Sequence, residues 1–303
     1  MRKICVALSG QFSAVAAALV LGVAGFATLA LAQDVVSPGA NLGIASAPNL
    51  RDVGGYWTKD GSVVRRGVAY RSSQLNPVSA GDMKKIAALG LRTEFDLRSA
   101  SERAARPDEL PPGVKNVWLN VQADAKGQSP AEIEKLMSDP RLANEALGKG
   151  KGAASFVKMY RELITLPSAK VAYRRLFAAM EARDGAPYLF HCTGGKDRTG
   201  WAAAALLTLL GVPEDKVYED YLRSNEYILP AYKTHIERFV AAGGDPSIPQ
   251  DLLGVKAEYL RAAFDQVKTQ YGSIEAYFEK GLGIDAAGQQ KLKSQFLDAG
   301  KTR

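Results

Sequence analysis

The chain is poor in the two residues from which redox and metal centres are most often built. It holds two cysteines and two histidines in 303 residues. Cys5 falls in an N-terminal leader, so the expected mature chain keeps Cys192 alone. One cysteine excludes an internal disulfide even in an oxidising compartment. It also leaves Cys192 without a resolving partner, so its sulfenic acid pairs only with an outside thiol or oxidises further. Cys192, His191 and His235 do not build a cysteine or histidine metal site, and neither metal nor cofactor is expected. His235, inside Tyr232-Lys233-Thr234-His235-Ile236-Glu237-Arg238, reads as an ordinary helix-surface residue. Past the leader no apolar run approaches bilayer-spanning length, so stable membrane insertion is not expected. There is no nucleic-acid-binding motif and no internal repeat. The basic pairs Arg65-Arg66, Lys84-Lys85 and Arg174-Arg175 are scattered and fit solvated faces, so nucleic acid is not an expected partner.

The leader begins Met1-Arg2-Lys3, is apolar over about 12–32, and closes Ala30-Leu31-Ala32-Gln33. A basic start, an apolar stretch and an Ala-x-Ala end predict a secretory signal over residues 1–32, and hence a periplasmic or secreted protein. Its Ser13, Thr28 and many Ala and Gly residues weigh against a retained anchor. Cleavage before Gln33 leaves 271 residues, read as one domain over 33–303. That length buries a sizeable core. Loss of Arg2 and Lys3 takes the net charge from +7 to +5, a mild attraction for anions.

What the chain does have is the run His191-Cys192-Thr193-Gly194-Gly195-Lys196-Asp197-Arg198-Thr199-Gly200. The apolar residues before it, Pro187-Tyr188-Leu189-Phe190, predict a buried strand. Those after it, from Trp201 to Leu210, predict a helix that stops at Gly211. A loop between a strand end and a helix N-terminus offers unpaired N–H groups and a favourable dipole to an anion. Cys192 and Arg198, with five residues between them, can close that loop around one phosphate. A helix N-terminus, loop N–H donors and a nearby cation each lower a thiol pKa, which makes Cys192 a candidate nucleophile. The planar fork of Arg198 matches two phosphate oxygens. Gly194 and Gly195 let the backbone curl so that N–H groups from Thr193 to Lys196 point inward. Thr199 offers a hydroxyl to the thiolate or to the helix end, and His191 is placed to brace the loop. A nucleotide-binding P-loop is excluded, because Phe190 and Asp197 hold the places of its first Gly and its Ser or Thr.

With these residues the chain resembles the cysteine-dependent phosphatase superfamily, and more closely the secreted bacterial tyrosine and phosphoinositide phosphatases whose loop reads HCxxGKDRTG. Three further stretches carry the resemblance: Asn49-Leu50-Arg51-Asp52-Val53-Gly54-Gly55-Tyr56, Phe95-Asp96-Leu97-Arg98-Ser99 and Tyr271-Gly272-Ser273-Ile274-Glu275-Ala276-Tyr277. The matches span about residues 45 to 285. The resemblance implies a nucleophilic Cys192, a phosphate-clamping Arg198, and a part for Lys196 and Asp197 in the site. It favours phosphotyrosine protein as substrate. A phosphoinositide comes second, since Lys196 adds a cation to the loop, and an inositol phosphate third.

Cleaving a phosphomonoester needs a proton for the leaving oxygen. Many relatives carry a Trp-Pro-Asp loop for this, and that tripeptide is missing here. Three aspartates compete: Asp197, which the resemblance favours; Asp96, at the end of the predicted strand Thr93-Glu94-Phe95-Asp96-Leu97; and Asp124, after a second strand. Arg51 and Asp52 either brace the cleft floor or pair in a turn. Asp96, Arg98 and Glu102 are candidates for a structural ion network.

The order of elements predicts an α/β fold: a single cysteine-phosphatase-like domain with a short, mostly parallel central sheet, helices on both faces and a helical C-terminal half. A hairpin region is expected over 49–75, a helix over 79–89, strands near 92–97 and 115–121, and helices over about 130–183 broken at 149–152 and 166–167. C-terminal helices are expected near 213–223, 225–242, 255–268, 272–280 and 285–298. The segment 125–165 reads either as a helical lid, with Phe156, Met159 and Tyr160 lining the pocket, or as core helices. The rival reading is a phosphate-binding protein without catalysis, which has no need to keep Cys192, Arg198 and Asp197 together.

Overall fold

The computed structural model describes residues 37–126, 136–183 and 186–299. The signal segment, and residues 127–135 of the expected lid, lie outside the described residues. The sheet has five short strands: β1 (Arg51–Asp52), β3 (Ala69–Ser72), β4 (Thr93–Asp96), β5 (Lys115–Trp118) and β6 (Tyr188–His191). They lie in the order β1-β3-β6-β4-β5, with β3, β6, β4 and β5 parallel and β1 antiparallel to β3. The cysteine strand β6 is therefore central, and the loop leaves its carboxyl end, where open α/β sheets hold ligands.

Strand alternation sorts the chemistry between the two faces. Tyr188 and Phe190 of β6 join Phe95 of β4 in the main core, and Cys192 follows on that side. Leu189 points the other way, into a smaller core with Tyr70, Ile86 and Leu91. Register pairs Glu94 with Leu189 and Asp96 with His191, so both acids and the histidine share this second face. His191 and Cys192, though adjacent, thus point to opposite sides of the sheet.

Helix α1 (Ala80–Ala88) is capped by the Ser79 hydroxyl, which accepts from the Asp82 N–H, and ends before Gly90 at φ 64°. Helix α2 (Ala100–Ala105) opens with a Ser99–Glu102 capping box. The long helical stretch resolves into α3 (Pro140–Leu147), α4 (Lys151–Thr165) and α5 (Pro167–Glu181), parted at Gly150 and Pro167. One face of α4 buries Phe156, Tyr160, Leu163 and Ile164 in the main core. Beyond β6 come α6 (Arg198–Leu209), α7 (Glu214–Leu222), α8 (Ser224–Ile228), α9 (Lys233–Ala241), α10 (Ser247–Leu253), α11 (Ala257–Tyr271), α12 (Ile274–Ala276) and α13 (Ala286–Phe296).

The hairpin region near 49–75 is present: around a turn at Lys59-Asp60-Gly61, Trp57 bridges Val63 antiparallel and the Val64 N–H donates to the Tyr56 carbonyl at 2.8 Å. One expectation is extended and one corrected. Val63–Val64 form β2, which also pairs with β7 (Leu297–Asp298) at the far end of the chain. Gly67, at φ 71°, turns the chain before β3 and separates the two runs. The helix expected over 225–242 is split, because Pro230 lacks the N–H that would continue it and a 3₁₀ turn, Leu229–Tyr232, intervenes. Helix α10 carries no helix signal in the sequence, since Pro246 and Pro249 read as breakers; Pro249 falls in the first turn, where a missing N–H is harmless.

Helix α6 is buried all round, as its unbroken apolar run requires. Trp201 is fully buried, edge-on to Phe264 and Tyr277 at 5.3 and 5.8 Å. Trp201→Ala is expected to lower stability by about 3–5 kcal/mol, measured as the shift of the urea unfolding midpoint at constant slope.

Candidate active site

The loop of residues 192–197 is shaped by what holds its carbonyl groups. The Cys192 carbonyl accepts from His191 Nδ1 at 3.1 Å and the Thr193 carbonyl from the Gln74 N–H at 3.0 Å. Asn49 Nδ2 donates to the carbonyls of both Gly194 and Gly195 at 3.0 Å. Arg71 Nη2 donates to the Gly195 carbonyl at 2.9 Å. Four successive carbonyls are tied from outside. Among the described residues the backbone N–H groups from Thr193 to Asp197 have no protein acceptor. Donors without acceptors, on a curled loop at a helix start, form a receptor for an anion. Gly195 sits at φ 65°, and a Cβ there would overlap the Ser72 carbonyl, so only glycine fits. Gly194 meets no such wall, since a Cβ there reaches only the Lys196 side chain, at 3.5 Å.

Cys192 is buried in the bowl of this loop. Burial pushes its thiol pKa up, but the Arg198 guanidinium and the hydroxyl and N–H of Thr199 outweigh burial and the opposing Asp197, so the thiol ionises below its ordinary 9.0. The Thr199 hydroxyl is buried with no other partner, which leaves it for the sulfur. Arg198 is held by Glu102 through two parallel bonds of 2.7 Å, the bidentate geometry of guanidinium and carboxylate. Glu102 also accepts from the Thr193 hydroxyl and, at 2.9 Å, from the Ser99 N–H. Burial alone would raise the Glu102 pKa; Arg198 and these donors hold it well below the usual carboxylate range. Sequence reading placed Glu102 only in a candidate ion network. Its signal was the Ser99-x-x-Glu102 cap, which fixes the carboxylate on the first turn of α2.

Asp197 precedes α6, yet its carboxylate makes no cap bond to that helix. Instead Oδ1 accepts from the Tyr160 phenol at 3.0 Å, and Lys196 Nζ lies 2.9 Å from Oδ2. The buried Lys196 ammonium also donates to the Gly254 carbonyl at 2.9 Å and sits 4.7 Å from the Phe156 ring centroid. Residues Phe156 and Tyr160 of α4 therefore do reach the site, through the loop's own side chains. Met159 is half-buried against the core.

The other two aspartates are engaged elsewhere. Asp96 is fully buried on the opposite face, and its oxygens accept from Arg98 at 2.9 and 2.8 Å and pair with Arg103 at 2.9 Å. That placement corrects the candidacy of Asp96 as a catalytic acid in favour of its reading as part of an ion network: a carboxylate held by two guanidiniums, across the sheet from Cys192, has no route to a leaving group. Asp124 accepts from the N–H of Ser168 at 3.1 Å and from its hydroxyl, and so caps α5.

Around Asp96 lies a buried charge cluster. His191 Nε2 bonds Glu94 and lies 3.4 Å from Asp108, while Arg98 joins Asp96 to Asp108. Burial alone would lower the histidine pKa; Glu94 and Asp108 instead hold it well above its ordinary 6.5, so the ring carries two N–H donors. One of them holds the Cys192 carbonyl. Glu94, Asp96, Asp108 and His191 bring ligand atoms within 4.8 Å of one another, but Arg98 and Arg103 lie among them and neutralise the acids. On the Cys192 side Asp220 plays the matching part. It pairs with Arg71 at 2.6 Å and Arg51 at 3.3 Å and accepts from Tyr56 at 3.1 Å. Arg51 thus braces the floor, while Asp52 stabilises a turn through the Gly54 and Gly67 N–H groups at 2.7 and 2.8 Å. Asp220→Ala leaves two buried guanidiniums uncompensated and is expected to cost about 3–5 kcal/mol. Chemical denaturation measures this, and phosphate affinity should fall with it because Arg71 is freed from the loop.

The comparisons agree with this geometry. Residues 42–298 match the tyrosine phosphatase family. A Cupriavidus necator protein, provisionally named a tyrosine-protein phosphatase, is 34% identical over 85% of this chain and 88% of its own length. The triple specificity protein phosphatase PtpB of Mycobacterium tuberculosis is 29% identical over 84% of this chain and 98% of its own. A tyrosine-protein phosphatase of Nostoc commune is 31% identical over 76% and 74%. A thiol within a ring of unpaired amides, a clamped arginine and a match across almost the whole described chain place this protein in the tyrosine phosphatase family.

Proposed function

We propose that Cys192, Arg198 and Asp197 carry the phosphatase reaction through a cysteinyl-phosphate intermediate. The Cys192 thiolate attacks phosphorus, and an S–P bond forms as the P–O bond to the leaving group breaks. The electron pair of that bond goes to the leaving oxygen, which takes a proton from the Asp197 carboxyl. A water molecule then attacks phosphorus, gives its proton to Asp197, and the S–P electron pair returns to sulfur as phosphate departs. Arg198, aimed by Glu102, and the N–H groups of Thr193, Gly194, Gly195 and Lys196 bind the equatorial oxygens, whose charge they meet without reorganising. Thr199 supports the thiolate and His191 fixes the loop through the Cys192 carbonyl.

The observation that carries this reading is the set of unpaired amides over a thiol with a depressed pKa. A binding protein has no use for the second of these, which favours catalysis over simple recognition. Phosphotyrosine protein is the first substrate class. A wider range that includes phosphoinositides and inositol phosphates draws support from the triple specificity of the mycobacterial relative. Lys196 serves a neighbouring phosphate only by leaving Asp197 and Gly254, which it now holds. The leader Met1-Arg2-Lys3 with its apolar run supports export to the periplasm or beyond.

Para-nitrophenyl phosphate should turn over without added metal, and Cys192→Ser should abolish turnover. A rapid-quench phosphoenzyme on Cys192, longer-lived in Asp197→Ala, would identify the intermediate; its absence sinks the mechanism. A panel of phosphopeptides, phosphoinositides and inositol phosphates would rank the substrates by kcat/KM. The thiolate should also be visible directly. Because its pKa is lowered, absorbance at 240 nm should rise at a lower pH than for a free cysteine, vanish in Cys192→Ser, and move to higher pH in Arg198→Ala.

A further inference from the structure

Asp197 stands where an aspartate normally caps its helix, but the carboxylate is withheld from that duty. Its backbone, at φ −95° and ψ −80°, turns the side chain off the helix axis. What receives it is a pair of phenols. Tyr221 donates to the Tyr160 oxygen at 2.6 Å, and Tyr160 donates to Asp197 Oδ1 at 3.0 Å. Both phenols are buried, and their rings meet edge-to-face at 6.1 Å. Each has one proton to give, so the direction of the chain fixes the oxygen that receives it. Burial first, and Asp197 after it, hold the Tyr160 pKa well above its ordinary 10.0, so the phenol stays a donor across the working pH range.

From this chain we infer that Tyr160, backed by Tyr221, is the positioning residue that makes Oδ2 the proton-carrying oxygen of Asp197. An oxygen that accepts from Tyr160 does not itself hold the acid's proton while that bond lasts. The proton then sits on Oδ2 and leaves from there to the departing oxygen. Lys196 follows the same division. Its ammonium lies 2.9 Å from Oδ2 and 3.1 Å from Oδ1. When Oδ2 is protonated, the ammonium keeps Oδ1 and the Gly254 carbonyl as acceptors. Two donors then converge on one oxygen of the acid and none competes for the other. Tyr160 belongs to α4, so the packing of that helix on α11, through Phe156 stacked on Tyr259 at 5.3 Å, sets the orientation of the acid. The inference deepens the reading above and rests on Asp197 as the general acid.

Leaving-group dependence separates positioning from simple structural support, because an acid matters most when the departing oxygen is most basic. Aryl phosphates from para-nitrophenyl to phenyl would be compared at one pH. In Tyr160→Phe, kcat for phenyl phosphate should fall about tenfold more than kcat for para-nitrophenyl phosphate, with KM little changed for either. Tyr221→Phe should change the same ratio in the same direction by less, and it remains informative should Tyr160→Phe fold poorly. In an Asp197→Ala background Tyr160→Phe should add no further change to the ratio. Equal slowing of both substrates in Tyr160→Phe, or an undiminished effect on top of Asp197→Ala, overturns the inference and leaves the acid reading standing. No leaving-group effect from Asp197→Ala itself overturns both.

Discussion

Everything in this molecule turns on keeping four peptide carbonyls pointed away from one sulfur. A six-residue loop that curls its N–H groups inward has no internal partners for the carbonyls it turns out, and buried carbonyls left unpaired are costly. The chain meets that need with groups that stay charged or polar in the interior: a doubly protonated His191, the Arg71 guanidinium, the Asn49 amide and the Gln74 N–H. Each of these needs a counterpart in turn. Glu94 and Asp108 compensate His191, and Asp220 compensates Arg71. The buried ions, which look extravagant for a small sheet, follow from one requirement on backbone direction.

Sheet geometry explains how two such ion clusters coexist without cancelling. Side chains of neighbouring strand residues leave on opposite faces. His191 carries its carboxylates to the face of α1 and α2, and Cys192 opens on the face of α4, α6 and α11. The thiol is thereby shielded from Glu94, Asp96 and Asp108, whose negative charge would otherwise raise its pKa. The acids that do lie on the thiol's side are each matched, Asp197 by Lys196, Asp220 by Arg51 and Arg71, and Glu102 by Arg198. Glu102 arrives from α2 already committed to Arg198, with Thr193 and Ser99 on its remaining capacity. A carboxylate so placed orients the clamp and adds little free negative field.

The loop was legible in the sequence because its chemistry is local: Cys192 and Arg198 lie on one turn of chain, with Gly195 between them where only glycine fits. The central strand and the buried helix were legible for the same reason, as runs of one period. The groups that shape the loop were not, because they come from afar. Asn49 lies 145 residues from Gly194, Arg71 lies 124 from Gly195, and Glu102 lies 96 from Arg198. Asn49 stands in a short motif with Gly54-Gly55 and Glu102 in a candidate ion network, but neither pattern says what its residue faces. Asp96 was misplaced for a related reason. Its strand was right; which face it lay on depended on register with His191, and one residue of slip reverses a face. For Tyr160 helical periodicity leaves two readings, lid or core, and the structure joins them: the ring is buried in the main core while its hydroxyl reaches the site by holding Asp197.

The formal charges near the sulfur lead to a last point about how this site grips its substrate. Arg198 is matched by Glu102 and Lys196 by Asp197. The thiolate adds one negative charge, which the second guanidinium on Asp220, where Arg51 and Arg71 share one carboxylate, offsets, so the resting group is close to neutral when a phosphomonoester dianion enters. Full charges therefore do not supply the net attraction. The neutral dipoles of the loop amides, the N-terminus of α6 and the proton that a general acid must carry on arrival do that instead. Dipoles fixed by covalent geometry act over a few ångströms and fade beyond. Selectivity for a tetrahedral oxyanion then arises from shape, in that only a group seated deep enough to touch the amides is held. The same balance gives Lys196 its place. Were it free, it would draw any anion to the rim; bound to Asp197, Gly254 and the Phe156 ring, it raises attraction only where it also holds the acid in line.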